Sequence, residues 1–321
     1  YRNFIMTEFI TEANKVFDSV IIFSCLPKHV FNGLNLNCII IELDVFEETF
    51  FTWFFRKAKE VTHLQLHSKD NFGITDNLNI TKSKANNPRG IATRFLHKWS
   101  KILYSEKWIQ RYTQLQQRTF HSHEITRKYK QLLKHHDISM LFFTHQRPPF
   151  IAPLIYAAEL LKIRTSTFIF SWDNLASKGR MAGNFDYYFV WSNLMKKELN
   201  YFYPLIDDKN IHIVGTPQFE SYVMSRYGYS KKDFIKKFNQ NLSVPTILFT
   251  CNDASSENDP IYLELLAKFI KNGNLVKAVN LIVRTSPAEE PTRFKTIAEN
   301  YPFIRWNYPD WKIMRGGHQE A

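Results

Sequence analysis

The feature that most constrains the fold is a series of short apolar runs between residues 138 and 306, most of them followed by a segment of helical length. Runs such as LFF, FIF and LIV are apolar at every position, which is typical of strands in a parallel sheet covered on both faces. Strands that alternate with helices predict parallel sheets with helices packed against them. The predicted fold class is therefore α/β, with Rossmann-like parallel-sheet domains.

The predicted elements extend this pattern over the chain. Short strands that are buried on both faces are predicted at 20–23 and 38–41. Further strands are predicted as ISMLFFT, STFIF, YYFVW, IHIVG, TILFTC, VNLIVR and FIRW. Helices are predicted at about 4–17, 45–59, 91–104, 106–134, 150–162, 193–202, 260–272 and 291–299, whereas the polar stretch at 68–90 has no predicted element. A short polar helix at 230–239 marks a junction between domains. The predicted organisation is a first domain of 1–220 with a helical excursion at about 88–135, a linker of 221–243 and a second domain of 244–321.

Charge and residue usage limit the ligands of this chain. Its 321 residues have a net charge of +12, which favours anionic partners such as nucleic acid, phosphorylated substrates or anionic lipid headgroups. With only ten glycines it contains no G-x-G-x-x-G and no Walker-type phosphate loop. There is no D-x-D pair, and three scattered cysteines form no zinc pattern, so neither a metal nor a cofactor is predicted. The cysteine usage fits a reducing, cytoplasmic setting, and no apolar stretch reaches the length of a transmembrane helix.

Polar loops follow six of the predicted strands. Because the carboxyl ends of parallel strands meet at one edge of a sheet, and ligands bind in the crevice there, these loops form the candidate site. In the first series the candidate residues are His145 and Arg147 after LFF, then Ser171, Trp172, Asp173, Asn174 and Lys178 after FIF, then Gly215, Thr216 and Gln218 after IHIV. In the second series they are Asn252 after TILFT, and Arg284 and Ser286 after LIV.

Several of these residues have a structural explanation beside the functional one. His145 is either a general base or sugar contact, or a packed and hydrogen-bonded histidine. Asp173 is either a base or the residue that forms an Asx turn. The GTPQF loop either binds an anion through its N–H groups or starts a helix, with its glycine at positive φ and its threonine as the cap. Arg284 is either a phosphate ligand or half of an ion pair. Ser192 is predicted to be a helix N-cap, and the run SPAE at 286–289 a capping box.

Three runs carry a family resemblance: SWDNLASKGR, DYYFVWSNLMKKEL and IHIVGTPQFESY. They resemble the end of the N-terminal domain in GT-B glycosyltransferase-like proteins of bacterial surface-polysaccharide synthesis. This superfamily includes nucleotide-sugar glycosyltransferases, UDP-N-acetylglucosamine 2-epimerases and CDP-glycerol glycerophosphotransferases. The opening YRNFIMTEF is similar to the segment after the first strand of such proteins, and the well-matched part of the chain covers about fifty residues.

The resemblance implies two Rossmann-like domains that face a cleft, with the acceptor on the N-terminal domain and the nucleotide-linked donor on the C-terminal one. It implies a metal-independent, nucleotide-sugar-dependent glycosyltransferase of capsule or O-antigen type, acting by displacement at the anomeric carbon of the donor. Asp173 or His145 would deprotonate the acceptor hydroxyl, and Arg284, with Ser286 near the donor phosphates, would stabilise the departing diphosphate. The alternatives are a CDP-glycerol-type glycerophosphotransferase, a UDP-sugar 2-epimerase, or a catalytically inert basic binding protein on the same fold.

The resemblance is incomplete at both ends of the chain. The residues after 243 amount to about half of a donor domain, and nothing before Ala321 matches the acidic residue that would grip the donor ribose. We therefore expect a chain that lacks its first strand and the rest of its donor domain, a truncation that could remove the activity.

The expected partners are a nucleotide-sugar donor and a saccharide or lipid-linked acceptor. The aromatic and basic segment VFEETFFTWFFRKAK at 45–59 is predicted to be a core helix, with a peripheral contact to an anionic membrane as the alternative. The basic helices of 91–134 show no nucleic-acid-binding module, so no nucleic acid is expected as a partner. The predicted location is the cytoplasm, either free or peripheral on the inner face of the membrane.

Overall fold

The structure is a computed structural model that describes residues 2–69, 71–253, 255–287, 291–309, 312–313 and 319–320. Its helices are α1 (Arg2–Ile5), α2 (Phe9–Val16), α3 (Phe50–His67), α4 (Phe72–Ile80), α5 (Pro88–Trp99), α6 (Glu106–Phe120), α7 (Glu124–His135), α8 (Ala152–Leu161), α9 (Asn174–Ser177), α10 (Asn193–Phe202), α11 (Glu220–Val223), α12 (Lys231–Lys237), α13 (Asp259–Lys271) and α14 (Lys295–Asn300). Its strands are β1 (Ile21–Ser24), β2 (Ile39–Glu42), β3 (Met140–Phe143), β4 (Arg164–Phe168), β5 (Tyr187–Val190), β6 (Ile211–Ile213), β7 (Thr246–Thr250), β8 (Asn280–Arg284), β9 (Arg305–Asn307), β10 (Lys312–Ile313) and β11 (Gln319–Glu320).

The chain divides into two compact units. The first contains residues 1–13 and 44–218, and the second contains 14–43 and 219–321. The predicted first domain ran from 1 to 220 without interruption, whereas the structure groups β1 and β2 with the second unit. The roles of the two domains in binding acceptor and donor stay predictions.

In the first unit, β3, β4, β5 and β6 form a four-stranded parallel sheet in that order. Phe143 pairs with Thr167, and Val190 pairs with Ile213, so the carboxyl ends of neighbouring strands lie at the same edge. Phe168 and Val190 are 2% and 0% exposed, as expected for strands covered on both faces. The predicted parallel α/β architecture is confirmed in this unit.

The N-terminal segment packs against this sheet. The ring of Phe4 lies edge-on to Phe142 and Phe168, with centroids 5.4 and 5.2 Å away. The predicted helix at 4–17 is two helices, because Thr7 interrupts it. Its hydroxyl donates to Asn3 O at 3.1 Å and accepts from Phe9 N at 3.4 Å, which ends α1 and caps the start of α2.

The helices α5 to α7 form the excursion predicted at about 88–135, and α3, the helix predicted at 45–59, differs from its prediction in its boundaries. The prediction began α3 at 45, but the helix begins at Phe50 because the Thr49 hydroxyl accepts the N–H of Thr52 at 3.3 Å. Val61 and Leu64 on α3 are fully buried, which confirms a core helix, although Phe51 is 66% exposed.

Two further differences arise from caps that sequence periodicity does not reveal. The stretch left unassigned at 68–90 contains α4, which begins where the Asn71 carboxamide accepts Ile74 N at 2.9 Å. The single helix predicted at 106–134 is α6 and α7, because the Nδ1 atom of His123 accepts Ile125 N at 3.2 Å and starts a new helix.

In the second unit, β7, β8 and β9 form a three-stranded parallel sheet, as predicted. Arg284 pairs with Thr250 on one side and with Asn307 on the other, so the last residues of all three strands lie at one edge. The core of this sheet contains Leu281 and Val283, at 1% and 0% exposure.

The strands β1 and β2 are present as predicted, but they are not buried on both faces. They form a two-stranded parallel sheet in which Ile21 pairs with Ile39. Ile39 is 50% exposed, because a two-stranded sheet has no inner strand that neighbours could cover on all sides. The prediction of buried strands was wrong here, although the strand assignment was right.

Candidate functional site

A buried pair of amides joins the loops that follow β3 and β4 in the first unit. Gln146 is 1% exposed, and its Nε2 donates to Asn174 Oδ1 at 3.0 Å. Its Oε1 accepts Phe170 N at 3.1 Å, and its backbone carbonyl accepts Ala182 N at 2.9 Å. The sequence brought Asn174 forward as a candidate but missed Gln146, whose hydrogen bonds fix the loops that carry the other candidates.

Asp173 is held by the hydroxyls on either side of it. Ser171 Oγ donates to Asp173 Oδ1 at 2.5 Å, and Ser177 Oγ donates to Oδ2 at 3.1 Å and to the backbone carbonyl at 2.8 Å. Burial acts to raise the pKa of Asp173, but these hydrogen bonds and the charge of Lys178 outweigh it and leave the pKa below its usual value. The carboxylate is therefore ionised at neutral pH and has a loop-forming role beside any contact with substrate.

His145 is a packed, neutral histidine that faces the same loop. Its ring stacks on Phe170 with centroids 4.6 Å apart and planes 7° apart. Burial, followed by the charge of Arg147, lowers the pKa of His145 to about 4. Its Nδ1 accepts the N–H of Arg147 at 3.2 Å, so the proton of the neutral ring lies on Nε2. At pH 7 the outer nitrogen is a hydrogen-bond donor.

The charge of Arg147 acts both on His145 and on His63, a buried histidine of α3. Its Nε is buried without a hydrogen-bond partner in the described part of the chain. Burial is the largest cause of the low pKa of His63, and the charge of Arg147 contributes to it. His63 is fully buried and packs on His67 with centroids 4.8 Å apart.

Arg180, the cation two residues after Lys178, is a structural residue. It forms an ion pair with Glu106, donates to Phe202 O at 3.0 Å and lies 4.1 Å from the ring centroid of Tyr203. Gly179 before it is buried, and a Cβ there would lie 2.5 Å from Glu60 Cγ on α3. A side chain at this position would displace the Glu60 side chain from its place on α3.

Lys59 on α3 forms a hydrogen bond with the segment that follows Arg180. Its side chain is 2% exposed, and its Nζ donates to Ala182 O at 3.1 Å. Burial, followed by the charges of Arg180 and Arg56, lowers the pKa of Lys59 to about 7. A chain of contacts thus runs from Lys59 through Ala182 to Gln146 at the sheet edge.

The remaining candidates of the first unit are more exposed. Trp172 is 69% exposed, and the Lys178 N–H closes α9 by donating to Asn174 O at 3.2 Å. Gly215 has a φ of 72°, and Thr216 Oγ1 accepts Gln218 N at 3.3 Å, which confirms the helix-start geometry predicted for this loop. Elsewhere on this edge, the predicted cap is also confirmed, because the hydroxyl of Ser192 accepts Met195 N at 3.3 Å.

At the sheet edge of the second unit, Arg284 is held in place by β9. Its Nη1 donates to Asn307 Oδ1 at 2.5 Å and to Tyr308 O at 3.3 Å. Ser286 is 7% exposed, and the last two residues of its predicted capping box lie outside the described residues. The ligand roles of Arg284 and Ser286 stay predictions.

The loop after β7 is organised by an arginine that the sequence did not single out. Arg293 donates from Nη2 to Asn252 O at 2.9 Å and to Asp253 O at 3.0 Å, and from Nη1 to Ser256 O at 2.7 Å. The Asn252 N–H donates to Asp259 Oδ2 at 2.7 Å, at the start of α13. Asn252 therefore has its backbone engaged and its side chain exposed.

A pocket of about 340 Å³ lies in the first unit beside α9, and none of the predicted residues lines it. Its walls come from α4, α9 and α10 and are formed by Asn71, Ala176, Lys197, Glu198, Tyr201 and Phe202. One carboxylate oxygen of Glu198 is buried without a hydrogen-bond partner among the described residues, and burial raises the pKa of this side chain.

Metal-binding clusters and membrane-spanning helices are both absent from the described residues. No group of three or more His, Cys, Asp or Glu side chains comes together as a metal site within the described ranges. In the same ranges, no helix has both the length and the apolar character needed to cross a bilayer.

Comparisons with known proteins gave matches among solved structures alone. No protein-family model matches the sequence, and no curated protein matches it. The UDP co-structure of S. aureus MnaA shares 11% identity at a TM-score of 0.38, over 80% of this chain and 67% of that chain. UDP-GlcNAc 2-epimerase from Neisseria meningitidis, bound to UDP-GlcNAc, shares 11% identity at a TM-score of 0.39, over 81% and 70%.

A third solved structure, UDP-GlcNAc 2-epimerase from Methanocaldococcus jannaschii in complex with UDP-GlcNAc and UDP, shares 14% identity at a TM-score of 0.33. The match covers 61% of this chain and 55% of that chain. UDP-GlcNAc 2-epimerases belong to the superfamily that the three sequence runs resemble. At identities and TM-scores this low, a similarity assigns no activity to this chain.

Proposed function

We propose that this chain is an enzyme of nucleotide-sugar chemistry whose first unit holds the polar, hydroxyl-bearing part of a substrate at the loops after β3 and β4. The observation that carries the proposal is the hydrogen-bonded pair of Gln146 and Asn174. Buried amides are costly unless every polar atom finds a partner, so they hold the two loops in one arrangement. A site whose loops are fixed before substrate arrives loses less entropy on binding.

Within this proposal, the leading reaction is transfer of a sugar from a nucleotide-linked donor to an acceptor hydroxyl, in cell-surface polysaccharide assembly. Asp173 is ionised and accepts the proton of the acceptor hydroxyl, while the Nε2–H of His145 positions a substrate oxygen. Arg147, Trp172 and Lys178 contact the same substrate as Asp173 and His145. In the second unit, Arg284 is the proposed ligand of a phosphate group of the nucleotide.

The second candidate is 2-epimerisation of a UDP-linked amino sugar, the activity for which two of the solved structures above are named. The pKa values of the two candidate bases are the reason to keep epimerisation as a candidate. A general base for an acceptor hydroxyl works best with a pKa near the working pH, whereas the pKa of His145 is about 4 and that of Asp173 lies below its usual value. The CDP-glycerol-type transfer is the remaining alternative on this fold.

A thermal-shift panel of UDP-, GDP-, CDP- and ADP-sugars tests whether the chain binds a nucleotide-linked sugar at all. A ligand that binds the folded state alone raises the melting temperature in proportion to the logarithm of its concentration over its Kd. We expect one nucleotide class to give a shift that Arg284→Ala removes and that Lys295→Ala, an exposed control in the same unit, retains. Protection by an RNA oligonucleotide in place of every nucleotide sugar would favour the inert basic binding protein.

A second assay separates the two reactions. Epimerisation needs no acceptor, so proton NMR of the chain with UDP-GlcNAc alone would show a second amino sugar accumulating. Transfer needs an acceptor, so release of UDP would rise only when a saccharide or lipid-linked acceptor is added. We propose the cytoplasm, where nucleotide sugars are available, as the location of either reaction.

A further inference from the structure

The helix α5 presents an apolar stripe to solvent. Ile91, Phe95 and Trp99 are spaced four residues apart, so they lie on one face of the helix. They are 58%, 52% and 42% exposed, and Ile102 in the next turn is 77% exposed. The rings of Phe95 and Trp99 stack with centroids 5.7 Å apart, so the stripe is a continuous surface.

The opposite face of α5 fixes this orientation. Leu96 is 3% exposed and packs in a cluster with Ala58 on α3 and Tyr112 on α6. Thr93 on the same face is 4% exposed. The helix is therefore anchored to the first unit by one face, and the apolar stripe is the face that remains open to solvent.

The helical segment that contains α5 is strongly basic. Residues 88–136 contain eleven Lys and Arg and two Glu, a net charge of +9 out of +12 for the whole chain. Lys98 and Lys101 adjoin the stripe and are exposed, and neither forms an ion pair within the described residues. An anionic surface would complement this segment.

We propose that the α5 stripe docks this protein on the surface of an anionic lipid bilayer, with Lys98 and Lys101 at the headgroups. A helix that has aromatic and aliphatic residues on one face and lysines beside it lies in the interface plane, where apolar burial and attraction to anionic lipid add together. Nucleic acid fits the stripe less well, because Ile91 and Ile102 neither stack on bases nor bind phosphate.

This docking surface differs from the segment 45–59, for which the sequence predicted a core helix and membrane contact was the alternative. It is also independent of the proposed enzymatic function, because no nucleotide or sugar takes part in it. A failure of one proposal therefore leaves the other standing.

Flotation with vesicles tests the proposal on the full chain. Vesicles of three parts phosphatidylcholine to one part phosphatidylglycerol should carry the protein to the top of a sucrose gradient, whereas pure phosphatidylcholine vesicles should not. High salt should weaken the binding, because it screens the headgroup charge.

Variants then locate the surface. Ile91→Ser and Phe95→Ser should each weaken binding about tenfold, because each removes apolar area that the bilayer would cover. Lys98→Ala and Lys101→Ala should each weaken it about fivefold, because each removes one cation from the anionic headgroups. Leu194→Ser, which removes a side chain that is 66% exposed on α10, and Lys277→Ala in the second unit are matched controls that should bind as the unaltered chain does.

Circular dichroism of each variant confirms that it is folded. The proposal is overturned if the unaltered chain does not float with anionic vesicles, or if the stripe variants float as well as the controls. It is also overturned if an RNA oligonucleotide binds this face in preference to vesicles, or if sedimentation shows that the stripe is buried between two copies of the chain.

Discussion

The carboxyl edges of the two sheets are held together in opposite ways. In the first unit, the loops after β3 and β4 are joined by side chains removed from water, since Gln146 is 1% exposed and Asn174 is 8% exposed. In the second unit, the loop after β7 is exposed at Asn252 and Asp253, and Arg293 holds it through backbone carbonyls.

The two edges differ in whether water can replace a lost hydrogen-bond partner. A buried amide that loses its hydrogen-bond partner has no water molecule to replace that partner. The first edge therefore has one stable arrangement. An exposed carbonyl that loses Arg293 is hydrated instead, so the second edge can rearrange at small cost. We expect the first edge to keep its shape without ligand and the second to change shape when a ligand binds.

The largest expected effect comes from Lys59, which supports the first edge through Ala182. The pKa of Lys59 in the folded state is about 7, below the value of about 10.4 in an unfolded chain. The unfolded state therefore binds more protons between these values, and the free energy of unfolding rises with pH across that window. The destabilisation is complete below pH 7 and fades toward pH 10.

Lys59→Met removes this buried charge, so the variant should be more stable than the unaltered chain at pH 6 by about 3 kcal/mol. The difference should shrink as the pH rises toward 10. Urea unfolding at pH 6 and at pH 9.5 measures both values, with the exposed Lys101→Met as the control. Equal stabilities at pH 6 would show that the ammonium group is hydrated, and the first edge would then not rest on a dry interior.

Gln146→Ala tests the amide network directly. It leaves the Phe170 N–H and the Asn174 carboxamide without their partner and opens a small cavity, so we expect a loss of about 2 kcal/mol in the free energy of unfolding. Gln218→Ala removes the same kind of side chain from an exposed position at the same edge and should cost less than about 0.5 kcal/mol. Similar losses in the free energy of unfolding for Gln146→Ala and Gln218→Ala would contradict the view that a buried amide network holds the first edge.

Arg293→Ala tests the other side of the comparison. The carbonyls of Asn252, Asp253 and Ser256 become hydrated in the variant, so the expected loss in the free energy of unfolding is about 1 kcal/mol. Hydrogen exchange of the 252–258 amides should accelerate, because the loop opens without unfolding the sheet. A cost as large as that of Gln146→Ala would mean that both edges are equally rigid.

The smallest effect on stability is expected for Trp172→Ala. The side chain is 69% exposed, so its removal should change the free energy of unfolding by less than about 0.5 kcal/mol. If Trp172 forms a wall of the substrate site, the same variant should bind the nucleotide sugar more weakly in the thermal-shift panel. A large loss of stability would instead make it a packing residue of the first edge.

The sequence predicted the two parallel sheets well, because LFF and LIV are apolar at every position, as is typical of strands covered on both faces. It placed β4 two residues too late, because the buried residues Thr165, Ser166 and Thr167 of that strand are polar. It placed helix boundaries less well, because caps such as Thr49, Asn71 and His123 act through one hydrogen bond each and leave no periodic pattern. A cap is visible in a sequence only when the helix next to it is already known.

The same limit applied to the site. His145, Asp173 and Asn174 could be singled out because they follow apolar runs, and the structure joins their loops. Gln146 and Arg293 could not, because their importance comes from burial and from partners distant in the chain. A glutamine beside a histidine is an ordinary loop residue until a second loop is seen to close over it.

The absence of a side chain at Gly179 allows two parts of the first unit to lie in contact. Since the Glu60 side chain fills the space that a Cβ would take, the segment after α9 is in direct contact with α3. The same α3 packs against α5 on one side and bonds Ala182 through Lys59 on the other. The helix α3 therefore contacts both α5 and the segment whose Ala182 N–H bonds Gln146, in the loop next to His145.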